Sequence, residues 1–189
     1  MARQIGLRDI HFAKLLTDTN SGATYDTPVS LAGALNAKVS RKTNSDPVYA
    51  DDGLDEIISN FNSVEVEIEV ASLTLEARAL LQGSSMVKGT IIETSEDVAP
   101  EGALLFRSKK SNGKFRYVAL LKGKFELADD EYATIEDKAK TQSVKIKGTF
   151  YPRIYDTNYQ FVADEDATGV VQATLDAWFT AVPVEPTLP

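Results

Sequence analysis

The chain has 189 residues, no cysteine, a formal net charge of −8 and a pI near 4.7. Without cysteine, structural disulfides, thiolate metal sites and thiol catalysis are excluded. The acidic balance argues against a surface that holds phosphates by neutralising them.

A chain of this length makes one substantial domain, or at most two small ones, and a single domain that size buries about 70% of its unfolded surface without staples. No apolar run approaches the length of a membrane span. The opening MARQIGLRDIHFAKLL scatters charges among its apolar residues and has no apolar h-region, so it does not read as a signal peptide.

In chain order, Leu7 to Leu16 alternate loosely as a first strand, and Thr17 to Pro28 is a Thr/Asn/Gly/Pro-rich loop. Val29 to Arg41 gives a second strand. Asn44 to Asp55 reads as a polar tip carrying Pro47 and Gly53. Glu56 to Val70 is then one long strand, about 50 Å if fully extended, so it must bend between sheets or project beyond the body. Val64, Val66, Ile68 and Val70 share one face of it, and Ser63, Glu65, Glu67 and Glu69 share the other.

Ser72 to Gly83 reads as a short helix, capped by Ser72 or Thr74 and stopped by Gly83. Met86 to Glu93 is a short strand. Ala103 to Lys109 and Lys114 to Leu127 form a hairpin turning at Ser111-Asn112-Gly113. Gln142 to Arg153 alternates cleanly, with Lys145 and Lys147 outward, and Tyr159 to Ala163 is a brief strand. Val170, Val171, Leu175, Trp178, Phe179 and Val182 recur at helical spacing, with Asp166 or Thr168 available as cap and Trp178 expected in a core. The pattern therefore gives a mainly β fold with two helices. Residues 1–182 form the single β domain, and the Pro-rich tail 183–189 is expected to be an arm.

The residues offer little chemistry. His11, the single histidine, reads as a strand residue because a catalytic base needs a partner constellation. There is no G-x-S-x-G elbow and no glycine-rich phosphate loop, so the expectation is a protein that is not an enzyme. The cluster Asp51-Asp52-Gly53-Leu54-Asp55-Glu56 lacks the D-x-D-x-D-G spacing of a calcium loop and reads as a solvated turn. Asp164-Glu165-Asp166 reads as favourable charge at a helix start. Lys109, Lys110, Lys114 and Arg116 read as a charged edge that blocks strand addition, with single-stranded nucleic acid as the rival. The ladder Glu65, Glu67, Glu69 and the pair Lys145, Lys147 share a period of two; as neighbours they would make cross-strand charge pairs, and otherwise the glutamates face solvent alone.

Gly6-Leu-Arg-Asp-Ile-His-Phe-Ala13, Tyr25-Asp-Thr-Pro28, Leu31-Ala-Gly-Ala-Leu-Asn-Ala37, Val48-Tyr-Ala-Asp-Asp-Gly53 and Glu65-Val-Glu-Ile-Glu-Val70 stand in that order. With Leu-Leu-Gln-Gly83, Arg107-Ser-Lys-Lys-Ser-Asn-Gly-Lys-Phe-Arg-Tyr-Val118, Lys122-Gly-Lys-Phe125, Glu136-Asp-Lys138 and Ile146-Lys-Gly-Thr-Phe150, the series resembles the major tail proteins of phages with long flexible tails that infect Gram-positive bacteria. The resemblance runs from about residue 6 to the Trp178 helix. It implies a tail tube fold, a β-sandwich or barrel-like body flanked by a helix, with hexameric rings that stack into a hollow tube around a tape-measure protein, and with tail terminator and initiator proteins as further partners. DNA would pass through the lumen without specific binding; no cofactor and no membrane are implied. The location implied is the virion tail, assembled in the bacterial host cytoplasm. On this basis Glu65, Glu67 and Glu69 are lumen-facing candidates, since a carboxylate wall would repel a polyanion. Asn44, Asp46, Pro47, Tyr49, Asp51, Asp52 and Gly53 are candidates for a loop touching a neighbouring subunit. An inner-tube protein of a contractile injection or secretion system, and a monomeric β-sandwich module binding glycan, remain alternatives.

Overall fold

The computed structural model describes residues 2–31, 33–50, 53–126 and 143–185. Most of these residues are in strands, as the period-two patterning requires. The chain runs β1 (Gln4–Thr19), β2 (Gly22–Tyr25), β3 (Val29–Ser30), β4 (Ala34–Ala50), β5 (Gly53–Val70), α1 (Leu75–Gln82), β6 (Ser85–Val87) and β7 (Thr90–Ile92). It continues through β8 (Gly102–Lys110), β9 (Phe115–Phe125), β10 (Val144–Phe150), β11 (Gln160–Asp164) and α2 (Gln172–Asp176).

One large antiparallel sheet has the order β2-β1-β8-β9-β10-β5-β4, with β3 on β1 and β11 on β9. The sheet curls into a β-sandwich-like body, because β3 hydrogen-bonds to β1 and feeds straight into β4 at the far end. Leu31 N–H donates to the Ile10 carbonyl, and Ala71 N–H to that of Gly33, tying the two ends together. The inward faces then meet in one core containing Ile10, Phe12, Val66, Ile68, Leu104 and Phe150, capped by Ala77 and Leu81 of α1. Where β9 and β10 pair, each strand sets a glycine opposite a phenylalanine of the other, Gly123 with Phe150 and Gly148 with Phe125. A Cβ on Gly123 would stand 2.4 Å from the Phe150 ring, so only glycine admits this packing. The two rings meet edge-to-face at 5.6 Å.

A second core lies on the outer face of β8 and β9, where Leu105, Tyr117, Ala119 and Leu121 are covered by Leu175 and Trp178. The Trp178 indole N–H donates to the Val118 carbonyl at 3.4 Å, which satisfies its polar edge.

Helix α1 starts and stops as its sequence directs: Thr74 Oγ1 accepts from Ala77 N–H, and Gly83 ends it in the left-handed conformation at φ 74°. Helix α2 is shorter than its apolar spacing suggests. Val171 occupies its N-cap with no side-chain hydrogen bond, so neither Asp166 nor Thr168 caps it.

Other expectations also change. The loop predicted over 17–28 contains β2, which closes a hairpin on β1 after a turn at Asn20 and Ser21. The strand predicted over 86–93 is the β6–β7 hairpin, turning at Lys88 and Gly89, both at positive φ. β8 and β9 are interior strands, so their tip guards no sheet edge. The polar tip predicted over 44–55 is continuous ladder instead: Asn44 pairs with Asn60, Pro47 with Ile57, and Ala50 with Gly53. Pro47 is tolerated there because β4 is the edge strand among the described residues, the place in a sheet where proline costs least. Pro183 is buried and Glu185 accepts from Asn158 at 3.1 Å, so the start of the tail belongs to the body. Residues 186–189 lie outside the described residues.

Candidate assembly surfaces

The long β4–β5 hairpin divides at Val64. Below it, β5 lies between β10 and β4 and buries Val64, Val66, Ile68 and Val70. Above it, from Thr43 opposite Phe61 to Ala50 opposite Gly53, the two strands pair only with each other among the described residues. Thr43, Asn44, Ser45, Pro47, Ile57, Ser59, Asn60 and Phe61 are all exposed. Ile57 keeps 56% of its surface in solvent and Phe61 37%, although Phe61 stacks on Tyr159 with ring centroids 4.3 Å apart. The candidates Asn44, Asp46, Pro47, Tyr49 and Gly53 therefore lie on a two-stranded ribbon, while Asp51 and Asp52 are outside the described residues. The sequence from 43 to 62 holds five carboxylates and no lysine or arginine, so the ribbon is strongly acidic. The outer edge of β4 faces no other strand among the described residues.

The polar face of β5 is not a wall of carboxylates alone. Cross-strand register sets Glu67 between Lys38 and Lys147, and Glu69 between Asn36 and Lys145. Glu65 lies between Ser40 and Thr149, with Lys124 next along the row, and Lys42 reaches it at 3.1 Å. Ser143 Oγ donates to Glu69. Four carboxylates, including Glu126, thus share this face with Lys38, Lys42, Lys124, Lys145 and Lys147. This face is therefore no acidic repulsive wall, because the lysine-bearing strands on either side balance its charge.

The basic tip of β8–β9 is likewise occupied. Arg116 forms a bidentate pair with Asp164 at 2.6 Å for both bonds, and Lys110 lies between Asp164 and Asp166. Lys114 bonds Glu165 at 2.9 Å, and Asn112 donates to Asp166. The Arg116 guanidinium, with Lys110 beside it, outweighs partial burial and pulls the Asp164 carboxyl down to about 2. Lys114 lowers Glu165, and Lys110 with Asn112 lowers Asp166. The acidic triplet is a counter-charge for the hairpin and does not serve the start of α2. Three of the four basic residues of this tip, Lys110, Lys114 and Arg116, are thus paired with carboxylates of the same chain.

A buried ionic network sits where β1, β9 and the 151–159 loop meet. Asp18 and Lys122, with side chains 5% and 8% exposed, bond at 2.7 Å. Asp18 also accepts the backbone N–H groups of Ile154 and Tyr155 at 2.9 and 3.1 Å. Burial pushes its carboxyl up, but the Ile154 amide, Lys122 and the Tyr155 amide together hold it below the usual range. Glu101 lies 3.6 Å from Lys122 and accepts from the Tyr151 hydroxyl at 2.7 Å; burial and this carboxylate push the Tyr151 phenol up to about 12. Arg153 is buried, paired with Asp156, and close to the Tyr25 hydroxyl at 3.3 Å. Asp18 and Lys122 stand 104 positions apart, so sequence pattern gave no signal for this network.

His11 is half-buried, with Nδ1 3.0 Å from the Asp9 carbonyl oxygen and its ring 4.9 Å from that of Phe179. It is a packed strand residue beside a bulge at which Asp9 adopts φ 55° and pairs with Arg107 at 2.5 Å. Among the described residues no group of three or more His, Asp or Glu is placed to hold a metal ion, and no helix is long and apolar enough to cross a membrane. No protein-family model matches the chain, and no curated protein matches it.

Proposed function

We propose that this chain is a structural subunit that assembles with its own copies, as the tail tube protein of a phage with a long flexible tail. The observation that carries the reading is the outer half of the β4–β5 hairpin, a ribbon whose described side chains from Thr43 to Pro47 and from Ile57 to Phe61 are exposed, beside a sheet edge that is open among the described residues. A two-stranded hairpin alone is marginally stable in water, and a long open edge invites another strand. A neighbouring copy supplies both missing contacts. Unlike surfaces meeting on successive copies close into a ring or extend into a tube. The ordered series of strings from Gly6 to Phe150 that resembles the tail proteins supports hexameric rings stacked around a tape-measure protein.

In this reading Glu65, Glu67 and Glu69 line the lumen together with the lysines beside them. A charge-balanced, hydrated wall neither holds nor strongly repels DNA, so passage there rests on balance. Electron microscopy of the purified protein across a concentration series tests the proposal. Rings or tubes are expected; a chain that stays monomeric throughout, and is absent from tails in micrographs of the virion, would refute it.

A further inference from the structure

We propose that Lys122 and Asp18 close an intramolecular isopeptide bond, with Glu101 as proton carrier and the Ile154 and Tyr155 amides as oxyanion hole. The inference is independent of the assembly reading, since it concerns a covalent modification within one chain.

The buried network holds each part that amide formation needs. An amine and a carboxyl meet at 2.7 Å from Nζ to Oδ2, with side chains only 8% and 5% exposed. That contact gives the proximity which free amines and acids lack in water. The acceptor carries two backbone donors, because Asp18 Oδ1 accepts the Ile154 and Tyr155 amides, each at 3.1 Å. Its other oxygen, Oδ2, faces Lys122 and also accepts Ile154 N–H at 2.9 Å. Two amides on one oxygen stabilise the negative charge that collects there in a tetrahedral intermediate. A second carboxylate is within reach of the nucleophile. Glu101 Oε2 lies 3.6 Å from Nζ, and Glu101 Oε1 accepts the Tyr151 hydroxyl at 2.7 Å, which orients it. Nζ also lies 5.4 Å from the centre of the Tyr151 ring. Water is largely kept from the amine, and a dry site raises the share of the neutral pair that reacts.

A buried ion pair is by itself a poor source of stability. A covalent link between residues 104 positions apart constrains the unfolded chain instead. It ties β1 to β9, strands that β8 separates in the sheet, in a chain with no cysteine to make such a link.

The step balances without a co-reactant. At rest the pair is ionised, and the reactive form is the minor one in which a Lys122 proton has passed to Asp18 Oδ2. The freed Nζ lone pair attacks Cγ, forming the C–N bond and placing negative charge on Oδ1 at the two amides. Glu101 takes a second proton from the nitrogen and gives it to Oδ2. The Cγ–Oδ2 bond breaks and water leaves. Nitrogen keeps its third proton, Oδ1 becomes the amide carbonyl, and Glu101 ends as it began.

Intact-mass spectrometry of the folded full chain, with peptide mapping, tests this. The wild type is expected to weigh one water less than its sequence and to yield a branched peptide joining the segments around Asp18 and Lys122. Lys122→Arg should keep the full mass of its sequence. Glu101→Gln, which retains the Asp18–Lys122 pair, should close about a hundredfold or more slowly after refolding. Should Lys122→Arg fail to fold, Glu101→Gln and the wild-type map carry the comparison. A wild-type chain still at its full sequence mass after long incubation overturns the proposal. So does a lost water that maps to a succinimide elsewhere in the chain. Closure of Glu101→Gln at the wild-type rate overturns the role given to Glu101.

Discussion

The lower and upper halves of β5 belong to one strand, share the same partner in β4 and make the same kind of ladder. Their surroundings differ. Val64 to Val70 is bordered by β10 as well as β4 and sends four aliphatic side chains into the core. Among the described residues Gly53 to Ser63 has only β4 beside it, and its described side chains from Ile57 to Asn62 are exposed. Hydrogen bonds within a ladder add little net stability, since water offers the unfolded chain similar bonds; burial of apolar surface makes the difference. The lower half therefore stabilises the subunit, and the upper half adds little to it; in the proposed assembly a neighbouring copy would cover it.

The widest separation between the halves should come from matched truncations. Ile68→Ala removes a fully buried side chain and is expected to cost about 2–5 kcal/mol in urea unfolding. Ile57→Ala in the free chain should stay within about 0.5 kcal/mol. Equal losses at the two sites would erase the distinction.

Acid should act on the body at a smaller scale. Asp164 is held near 2 by Arg116 and Lys110 against an ordinary 3.8. A depressed carboxyl stabilises the fold above its unfolded value, and that stability drains as pH falls from about 4 toward 2. Roughly 1 kcal/mol is expected once solvent screening of a partly exposed pair is allowed for. Arg116→Gln should flatten that part of the pH–stability curve; an unchanged slope would remove Asp164 as its source.

Charge rows on the polar face should matter less still. Lys147→Ala, opposite Glu67, is expected to cost about 0.2–1 kcal/mol, and less in high salt. The smallest effect on the free chain should follow replacement of residues 45–59 by a two-residue Asn-Gly turn, which suits a tight hairpin. Its thermal midpoint should hardly move, while assembly is lost. A large drop in the monomer's midpoint would show that the ribbon belongs to the body after all.

Much of this division is legible in the sequence. The run from Ser63 to Val70 alternates so cleanly that its buried and wet faces can be assigned outright, and Thr74 and Gly83 bracket α1 by cap chemistry. The period shared by Glu67, Glu69, Lys145 and Lys147 points to the register in which they stand opposite one another. The ribbon reads as a loop because Pro47, Gly53 and the carboxylates are turn-forming residues, and an edge strand tolerates them where an interior one would not. The acidic triplet at 164–166 reads as a helix start because its true partners, Lys110, Lys114 and Arg116, lie about fifty residues earlier. Long-range pairing of that kind leaves no local period, and the Asp18–Lys122 network is hidden for the same reason.

Backbone hydrogen exchange across the β4–β5 hairpin, in dilute and in concentrated protein, tests the central claim most directly. In dilute solution the amides of the upper half, 43–50 and 53–61, should exchange far faster than those of Val64 to Val70; on concentration into assemblies they should slow to match them. Upper-half amides already as protected as the core in the dilute monomer, or equally fast in both states, would contradict the account.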